Sequence, residues 1–279
     1  MATSNPFAFT CVLLIAGLLA GCGNSGNLKN AVPTPAAPAV LASDYGVSAT
    51  FSIVAVDPET GICGAAVASK YPAVGKVVPY VEGGVGAFCT QHDHNPKFGP
   101  KALEMLETGK PPGEILFELT RDDQRAGTRQ LAVIDRNGRT AQQNPTAAKQ
   151  RSRWWGSMSG RFYACQGNTL TGSEVITAMA AAYEKTEGSL ADRLMAALVA
   201  GDCAGGDRRG RLAAAIVVDK PDFEGTWLDL QVDKSDDAVM ELAKKYVELE
   251  HDAKGEWSKD HTPWKHCFPE RPEPKPSEK

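Results

Sequence analysis

The sequence predicts an α+β fold in which mainly antiparallel sheets are covered by helices. Two strands joined by a tight turn open the folded part of the chain, and pairs of helices then alternate with further strands. Strands joined by short turns pair antiparallel, and each sheet must bury its apolar face against another layer. The composition, 42% hydrophobic and 23% charged over 279 residues, is typical of a globular protein.

Alternating apolar and β-branched residues predict a first strand over 50–56 and a second over 62–69, joined by turn residues at 57–61. One or two strands follow within 77–90, where Gly83-Gly84 marks a break. Leucine and isoleucine at helical spacing predict two short helices within 102–119, separated by Gly109 and two prolines.

The second half of the chain repeats this alternation. Asn137-Gly138 predicts a type I′ hairpin turn after a strand at 131–134, and residues 151–155 form a loop rich in arginine and tryptophan. The remaining predicted elements are helices at 173–185 and 190–200, strands at 212–219 and 227–232, and an amphipathic helix at 236–249.

The amino-terminal segment predicts export and a lipid anchor. An apolar stretch over residues 7–21 ends in Leu19-Ala20-Gly21-Cys22, which resembles the lipobox of bacterial lipoproteins. Residues 1–21 are therefore expected to be a signal peptide, and the Cys22 thiol is expected to carry lipid on the extracytoplasmic side of a bacterial membrane. No apolar run reaches the ~18 residues of a spanning helix.

Composition divides the rest of the chain. Residues 22–49, rich in Pro, Ala and Gly, predict a flexible tether; 50–251 predict one globular domain; and 252–279 predict a polar, disordered tail. The net charge of −4 excludes nucleic-acid binding through bulk electrostatics. Five cysteines follow Cys22, so disulfides stay open, and the absence of a CxxC motif argues against a thiol-redox enzyme.

Four motifs resemble, in order, those of an uncharacterised bacterial family, the domain of unknown function 1028. They are TFSIVAVDPETG (50–61), NPKFGP (95–100), QGNTLTG (166–172) and GGDRRGR (205–211). The resemblance covers about residues 50–249. That family is similar to N-terminal-nucleophile hydrolases, which implies a four-layer αββα sandwich of two mainly antiparallel sheets.

The resemblance also implies a catalytic role for Thr50. In such hydrolases the first residue of the mature chain attacks an amide carbonyl while its own α-amine acts as base. Here the Ala49–Thr50 bond must first open, because residues 22–49 separate Thr50 from the lipidated cysteine. Asn168 is the candidate oxyanion donor.

A carboxylate site is expected after the glycine pair Gly205-Gly206. Asp207, Arg208 and Arg209 are predicted to bind substrate there, with side chains projecting from a sheet edge into solvent. We expect no cofactor and no metal.

Other residues allow weaker interpretations. Cys89 with His92 or His94 could supply a thiol nucleophile and a base. A metal ion could be bound by His92-Asp93-His94 or by the tail residues His261, His266 and Cys267. Trp154-Trp155 could form a stacking surface for a ligand.

Two functions remain open at this stage. One is an envelope-anchored hydrolase of a small amide or peptide, and the other is a non-catalytic lipoprotein that uses the same fold for binding or assembly. Self-association into a homo-oligomer is open for both.

Overall fold

The structure, a computed structural model, describes residues 50–147 and 154–249. These residues form two antiparallel sheets and five α-helices, which confirms the predicted mixture of antiparallel strands and covering helices. The predicted signal peptide, Cys22, the tether and the tail with His261, His266 and Cys267 lie outside the described residues.

The larger sheet has six strands, in the order β10-β9-β2-β1-β8-β7, and every neighbouring pair is antiparallel. Its central strands are therefore β1 and β2, the hairpin that opens the domain. The strands are β1 (Thr50–Asp57), β2 (Ile62–Ser69), β7 (Trp155–Gly160), β8 (Tyr163–Asn168), β9 (Ala213–Asp219) and β10 (Leu228–Val232).

The smaller sheet has four strands, in the order β3-β4-β5-β6. They are β3 (Pro79–Glu82), β4 (Gly86–His92), β5 (Arg129–Asp135) and β6 (Thr140–Gln143). The helices are α1 (Phe98–Glu107), α2 (Pro112–Thr120), α3 (Glu174–Lys185), α4 (Leu190–Cys203) and α5 (Ala238–Glu248).

Alternate residues of β1 enter two different cores. Phe51 and Ile53 pack against α3, α4 and α5, whereas Val54 and Val56 pack against residues of β4 and β5 in the smaller sheet. A third core joins the other face of the smaller sheet to α1 and α2. The period of two in the sequence thus places Thr50 and Ser52 on the side of β1 that faces the smaller sheet.

Two strands, β7 and β8, were not predicted. Their sequences, WGSMSG and YACQGN, contain no β-branched residue and only one aromatic residue each, so the signal from strand propensity is weak. They form because β8 pairs with β1 along six residues, from Thr50–Asn168 to Ala55–Tyr163. Tertiary pairing overrides local preference here.

The predicted type I′ turn at Asn137-Gly138 is wrong in type, although the hairpin is present. Gly138 alone of the pair has a positive φ, of 82°. Asp135 O accepts from Gly138 N at 2.9 Å and Asp135 N donates to Arg139 O at 3.0 Å, which is a longer hairpin loop ending in a left-handed glycine. The Asp135 carboxylate holds this loop by accepting from Asn137 N and Arg139 N.

The buried thiols of Cys63, Cys89 and Cys165 form no disulfide within the described residues. Among the helices of residues 50–147 and 154–249, none combines the length and apolar character needed to cross a bilayer.

Candidate functional site

Thr50 is the first residue of β1 and lies between β2 and β8. It is directly opposite Ser69 on one side and Asn168 on the other. Residues opposite each other in antiparallel strands project their side chains to the same face, so these three polar side chains lie together at one end of the space between the sheets. All three are fully buried.

The hydroxyl of Thr50 is held by a specific hydrogen bond. Its Oγ1 donates to Ser69 Oγ at 3.1 Å, and the same Ser69 oxygen accepts from the backbone N–H of Tyr71 at 3.0 Å. In the uncut chain the nitrogen of Thr50 belongs to the peptide bond with Ala49. The α-amine that would activate this hydroxyl therefore exists only if that bond is opened.

Two glutamines from the smaller sheet connect Thr50 with Asn168. Gln91 Nε2 donates to the carbonyl oxygen of Thr50 at 3.3 Å and to Gln130 Oε1 at 2.9 Å. Gln130 Oε1 also accepts from Asn168 Nδ2 at 2.9 Å. Gln130 in turn donates through Nε2 to the carbonyl oxygen of Gly167 at 2.8 Å, so its amide is fixed at both ends.

This cluster of Thr50, Ser69, Gln91, Gln130 and Asn168 is neutral and fully buried. Buried polar groups keep their place only when they are hydrogen-bonded, and amides in such a network orient one another. The arrangement can hold a hydroxyl and an amide donor in fixed positions without introducing a charge.

The residue after Asn168 has a strained backbone. Thr169 is β-branched and almost fully buried, yet its φ is 56°, in the left-handed region. Such a conformation costs roughly 1–3 kcal/mol and persists only where the surroundings impose it. Here the carbonyl of Thr169 accepts from Arg208 N at 3.2 Å, which ties this strand end to the 205–211 loop.

The glycine pair before Asp207 is required by the course of this loop. Gly205 and Gly206 have φ values of 110° and 49°, and a Cβ on Gly205 would lie 2.5 Å from Thr171 Oγ1. A left-handed turn with this close approach admits glycine and little else. The turn directs the next residue, Asp207, inward.

The expectation that Asp207 projects into solvent is wrong, because its side chain is fully buried. Its carboxylate accepts from the backbone N–H of Lys70 at 3.0 Å and of Arg209 at 2.9 Å, and it pairs with the Arg209 guanidinium at 3.2 Å. Burial raises the pKa of this carboxyl above its usual value, while the Arg209 hydrogen bonds oppose the shift. Asp207 thus anchors the loop to the residue that follows Ser69.

The arginines of the motif remain accessible, as expected. Arg208 is exposed and its side chain forms no ion pair with residues of the described ranges. The Arg209 side chain is 42% exposed while it pairs with Asp207. Because the loop is bonded to both Thr169 and Lys70, which follow the two strand partners of Thr50, these cations lie at the same end of the sheet as Thr50.

The weaker sequence interpretations receive little support from the geometry. Burial raises the pKa of the Cys89 thiol to about 12, although a hydrogen bond from Ser52 lowers it, so the thiol is protonated at neutral pH. His92 Nδ1 lies 2.7 Å from the carbonyl oxygen of Thr128, and Asp93 pairs with Arg125. Residues 50–147 and 154–249 contain no group of three His, Cys, Asp or Glu side chains that could hold a metal.

The predicted stacking surface is divided between two environments. Trp154 packs against the core beneath α3, and Trp155 begins β7 opposite Asn168. Arg151 and Arg153 lie outside the described residues.

Sequence reasoning missed three members of the cluster, Ser69, Gln91 and Gln130. A signal was present, since each is a polar residue at or next to the end of a strand whose centre is apolar. Polar residues within apolar strands are buried only with partners, but the sequence does not say which strands face each other.

Comparison with known families identifies the chain. The sequence profile described as "Family of unknown function (DUF1028)" matches residues 50–242 and thus begins at Thr50. This chain belongs to the DUF1028 family. The crystal structure of protein SPO2555 from Silicibacter pomeroyi, of the same family, is similar at a TM-score of 0.66 and 28% sequence identity, over 76% of this chain and 94% of that one. No curated protein matches the sequence.

Proposed function

We propose that residues 50–251 of this DUF1028 protein form an amide hydrolase of the N-terminal-nucleophile type with Thr50 as nucleophile. The observation that carries the proposal is the position of Thr50. Thr50 begins the central strand β1, and its side chain faces the space between the sheets. Its hydroxyl donates to Ser69 on one neighbouring strand, and Asn168 lies opposite Thr50 on the other.

The layering of the cores supports the corresponding fold. Helices α3 to α5 cover the six-stranded sheet, that sheet packs on the four-stranded one, and α1 and α2 cover the outer face of the latter. We infer from this order a four-layer αββα sandwich of the N-terminal-nucleophile type. In such a sandwich the residue at the start of a central strand lies between the two sheets, as Thr50 does.

Maturation is the first chemical step of the proposal. Thr50 Oγ1 attacks the carbonyl carbon of Ala49, its proton passes to the Thr50 nitrogen, and the C–N bond breaks. The acyl group is then held on Oγ1 as an ester, and the nitrogen becomes an amine. Water then hydrolyses the ester, which leaves a carboxylate on Ala49 and an α-amine on Thr50. The strained Thr169 and the neutral amide cluster provide the rigid surroundings that such a step needs.

The mature amine then serves as general base. It takes the proton of Thr50 Oγ as that oxygen bonds to the substrate carbonyl carbon, and it returns the proton to the departing amine nitrogen. Water hydrolyses the resulting ester and regenerates the hydroxyl. The free α-amine has a pKa near 8, so about a tenth of it is unprotonated at pH 7 and can take a proton, and this fraction rises as the pH approaches 8. Asn168, oriented by Gln130, donates to the carbonyl oxygen as it becomes an oxyanion.

The substrate is proposed to be a small amide or peptide with a carboxylate. Arg208 and Arg209 are exposed cations. Their loop is hydrogen-bonded to Thr169 and Lys70, which follow the ends of the two strands that pair with β1. Arginine binds carboxylates through two parallel hydrogen bonds. Asp207, which is buried, positions this loop and is not proposed to contact the substrate.

The site of action is proposed to be the cell envelope. Lipid attachment at Cys22 would hold the domain on the extracytoplasmic side of a membrane, and opening of the Ala49–Thr50 bond would release it from that anchor.

A non-catalytic binding module is the second candidate, and one observation favours it. In the uncut chain Thr50 is fully buried, and its carbonyl is bonded to Gln91. A buried, hydrogen-bonded residue in this position can stabilise the end of the strand without any catalytic role.

A screen of amide substrates distinguishes the two candidates. Residues 50–279 produced with Thr50 as first residue should hydrolyse amides that carry a carboxylate. The matched protein with Thr50→Ala should not. If both proteins are folded and neither hydrolyses any amide, the result favours the non-catalytic binding module.

A further inference from the structure

A pocket lies at the end of β1 that is opposite to Thr50. Its volume is about 260 Å³, and its wall includes Asp57 at the end of β1, Ile62 at the start of β2, and Leu190 and Arg193 of α4. Eight residues of extended strand place Asp57 roughly 24 Å from Thr50. This pocket is therefore separate from the proposed catalytic cluster.

The Arg193 side chain is fixed before any ligand arrives. Its Nε donates to the carbonyl oxygen of Tyr183 at 3.3 Å, and its guanidinium carbon lies 4.0 Å from the centroid of the Tyr183 ring. The described residues provide no acceptor for its two terminal nitrogens. A guanidinium held by Nε and by one face presents those two nitrogens as a preformed fork for a carboxylate.

The Asp57 side chain is also fixed and carries the opposite charge. One carboxylate oxygen accepts from Glu59 N at 3.0 Å, and the other accepts from Thr60 Oγ1 at 2.8 Å. A carboxylate has about four acceptor positions, so it can bind a further donor. Within the described residues Asp57 and Arg193 form no ion pair with each other, although they line the same pocket. Two unpaired opposite charges remain for a ligand to bridge.

The remaining wall is largely apolar. Ile62, Leu190, Val218 and Trp227 line it, and the Lys220 ammonium lies 4.0 Å from the ring centroid of Trp227. The volume is below the ~300–1,000 Å³ of sites for drug-sized ligands. The occupant is therefore small, with an apolar part as well as two charges.

We propose that this pocket binds a free α-amino acid with an apolar side chain. Its carboxylate pairs with the terminal nitrogens of Arg193, its ammonium with Asp57, and its side chain with the wall formed by Ile62, Leu190, Val218 and Trp227. The proposal does not depend on the hydrolase activity of Thr50.

Calorimetric titration of the full chain with three matched probes tests this. L-leucine carries both charges, 4-methylpentanoate lacks the ammonium, and 3-methylbutylamine lacks the carboxylate. Neither analogue is an amide, so neither is a substrate of the proposed hydrolase. L-leucine should bind, and each analogue should bind at least about tenfold more weakly, because one of the two half-buried charges of the pocket then has no partner. No binding of L-leucine up to about 10 mM, or equal binding of either analogue, would overturn the proposal.

Variants assign the two charges. Arg193→Met should weaken L-leucine binding by at least about tenfold, whereas Arg161→Met, which removes an arginine stacked on Phe162 outside the pocket, should leave it unchanged. Asp57→Asn keeps one acceptor for Glu59 N, and its Nδ2 can donate to Thr60 Oγ1, so the turn is retained. It should weaken the binding of L-leucine but not that of 4-methylpentanoate. If Arg193→Met does not fold, Arg193→Gln, which also removes the charge, gives the same test. Unchanged affinity in the folded Arg193 variant would contradict the assignment, and Thr50→Ala should bind L-leucine like the parent.

Discussion

The hydroxyl oxygen of Thr50 lies 3.1 Å from that of Ser69, across the central strand pair of the larger sheet. The bond orients the Thr50 hydroxyl within the buried cluster that contains Asn168. Every consequence of the proposed function depends on this fixed position, since a nucleophile acts only when it is held in a reactive geometry.

Asn168→Ala should lower kcat by about 10²–10³-fold and change KM little, because it removes a donor that acts when the oxyanion forms. Steady-state kinetics on an amide found in the screen would measure this. Asn137→Ala, which truncates an exposed asparagine of the β5–β6 turn, is the matched control. An equal loss in both variants, or a rise in KM alone, would contradict the role of Asn168.

Asp207→Ala should destabilise the fold by about 2–3 kcal/mol, because it removes the buried acceptor of the Lys70 and Arg209 N–H groups and the partner of the Arg209 guanidinium. Urea unfolding followed by circular dichroism measures the free energy of unfolding. Asp236→Ala, at an exposed aspartate, should change it by less than about 0.5 kcal/mol. Equal stabilities for the two variants would mean that Asp207 does not anchor the loop.

Arg208→Ala should raise KM for a substrate with a carboxylate and leave the free energy of unfolding within about 0.5 kcal/mol. The side chain is exposed and its backbone N–H, which bonds Thr169, is retained. Arg136→Ala removes an exposed arginine at the other end of the smaller sheet and serves as control. The carboxylate role fails if KM for the neutral amide of the same substrate rises equally.

Cys63 and Cys89 should resist alkylation in the native protein. Burial raises the pKa of each thiol to about 12, so at pH 8 only a minute fraction is thiolate, the reactive form. Iodoacetamide labelling at pH 8 with peptide mapping should show both modified only after unfolding, whereas the exposed Cys203 should react first among the described cysteines. Rapid labelling of Cys89 in the native protein would contradict this prediction and support Cys89 as a nucleophile.

The helices and strands that could be predicted from the sequence are those with a clear local pattern of apolar and turn residues. The β1–β2 hairpin and helices α3, α4 and α5 have clear periodicity and turn residues, and their predicted bounds lie within three residues of those observed. Helices α1 and α2 are predicted only as two short helices within 102–119, and α1 begins earlier, at Phe98. Strands β7 and β8 carry no such pattern and are defined by pairing with β1. Asn168 was therefore a candidate only as a side-chain amide next to Gly167, and its place opposite Thr50 required the fold.

The site was only partly predictable for a related reason. A charged residue after two glycines resembles an exposed loop, yet the left-handed glycines turn Asp207 into the interior. Gln91 and Gln130 join Thr50 to Asn168 only because the two sheets pack face to face. Contacts between residues of different sheets cannot be recognised from a local pattern in the sequence.

The most direct test of the account is the amino terminus of the protein itself. Intact mass and amino-terminal sequencing should be carried out on protein purified from the membrane and soluble fractions, for the parent, Thr50→Ser and Thr50→Ala. The account expects a soluble species that begins at residue 50 in the parent and in Thr50→Ser, which keeps a hydroxyl. Thr50→Ala should remain uncut and membrane-bound, beginning at lipidated Cys22. Parent protein found only as chains that begin at Cys22 would contradict the nucleophile mechanism.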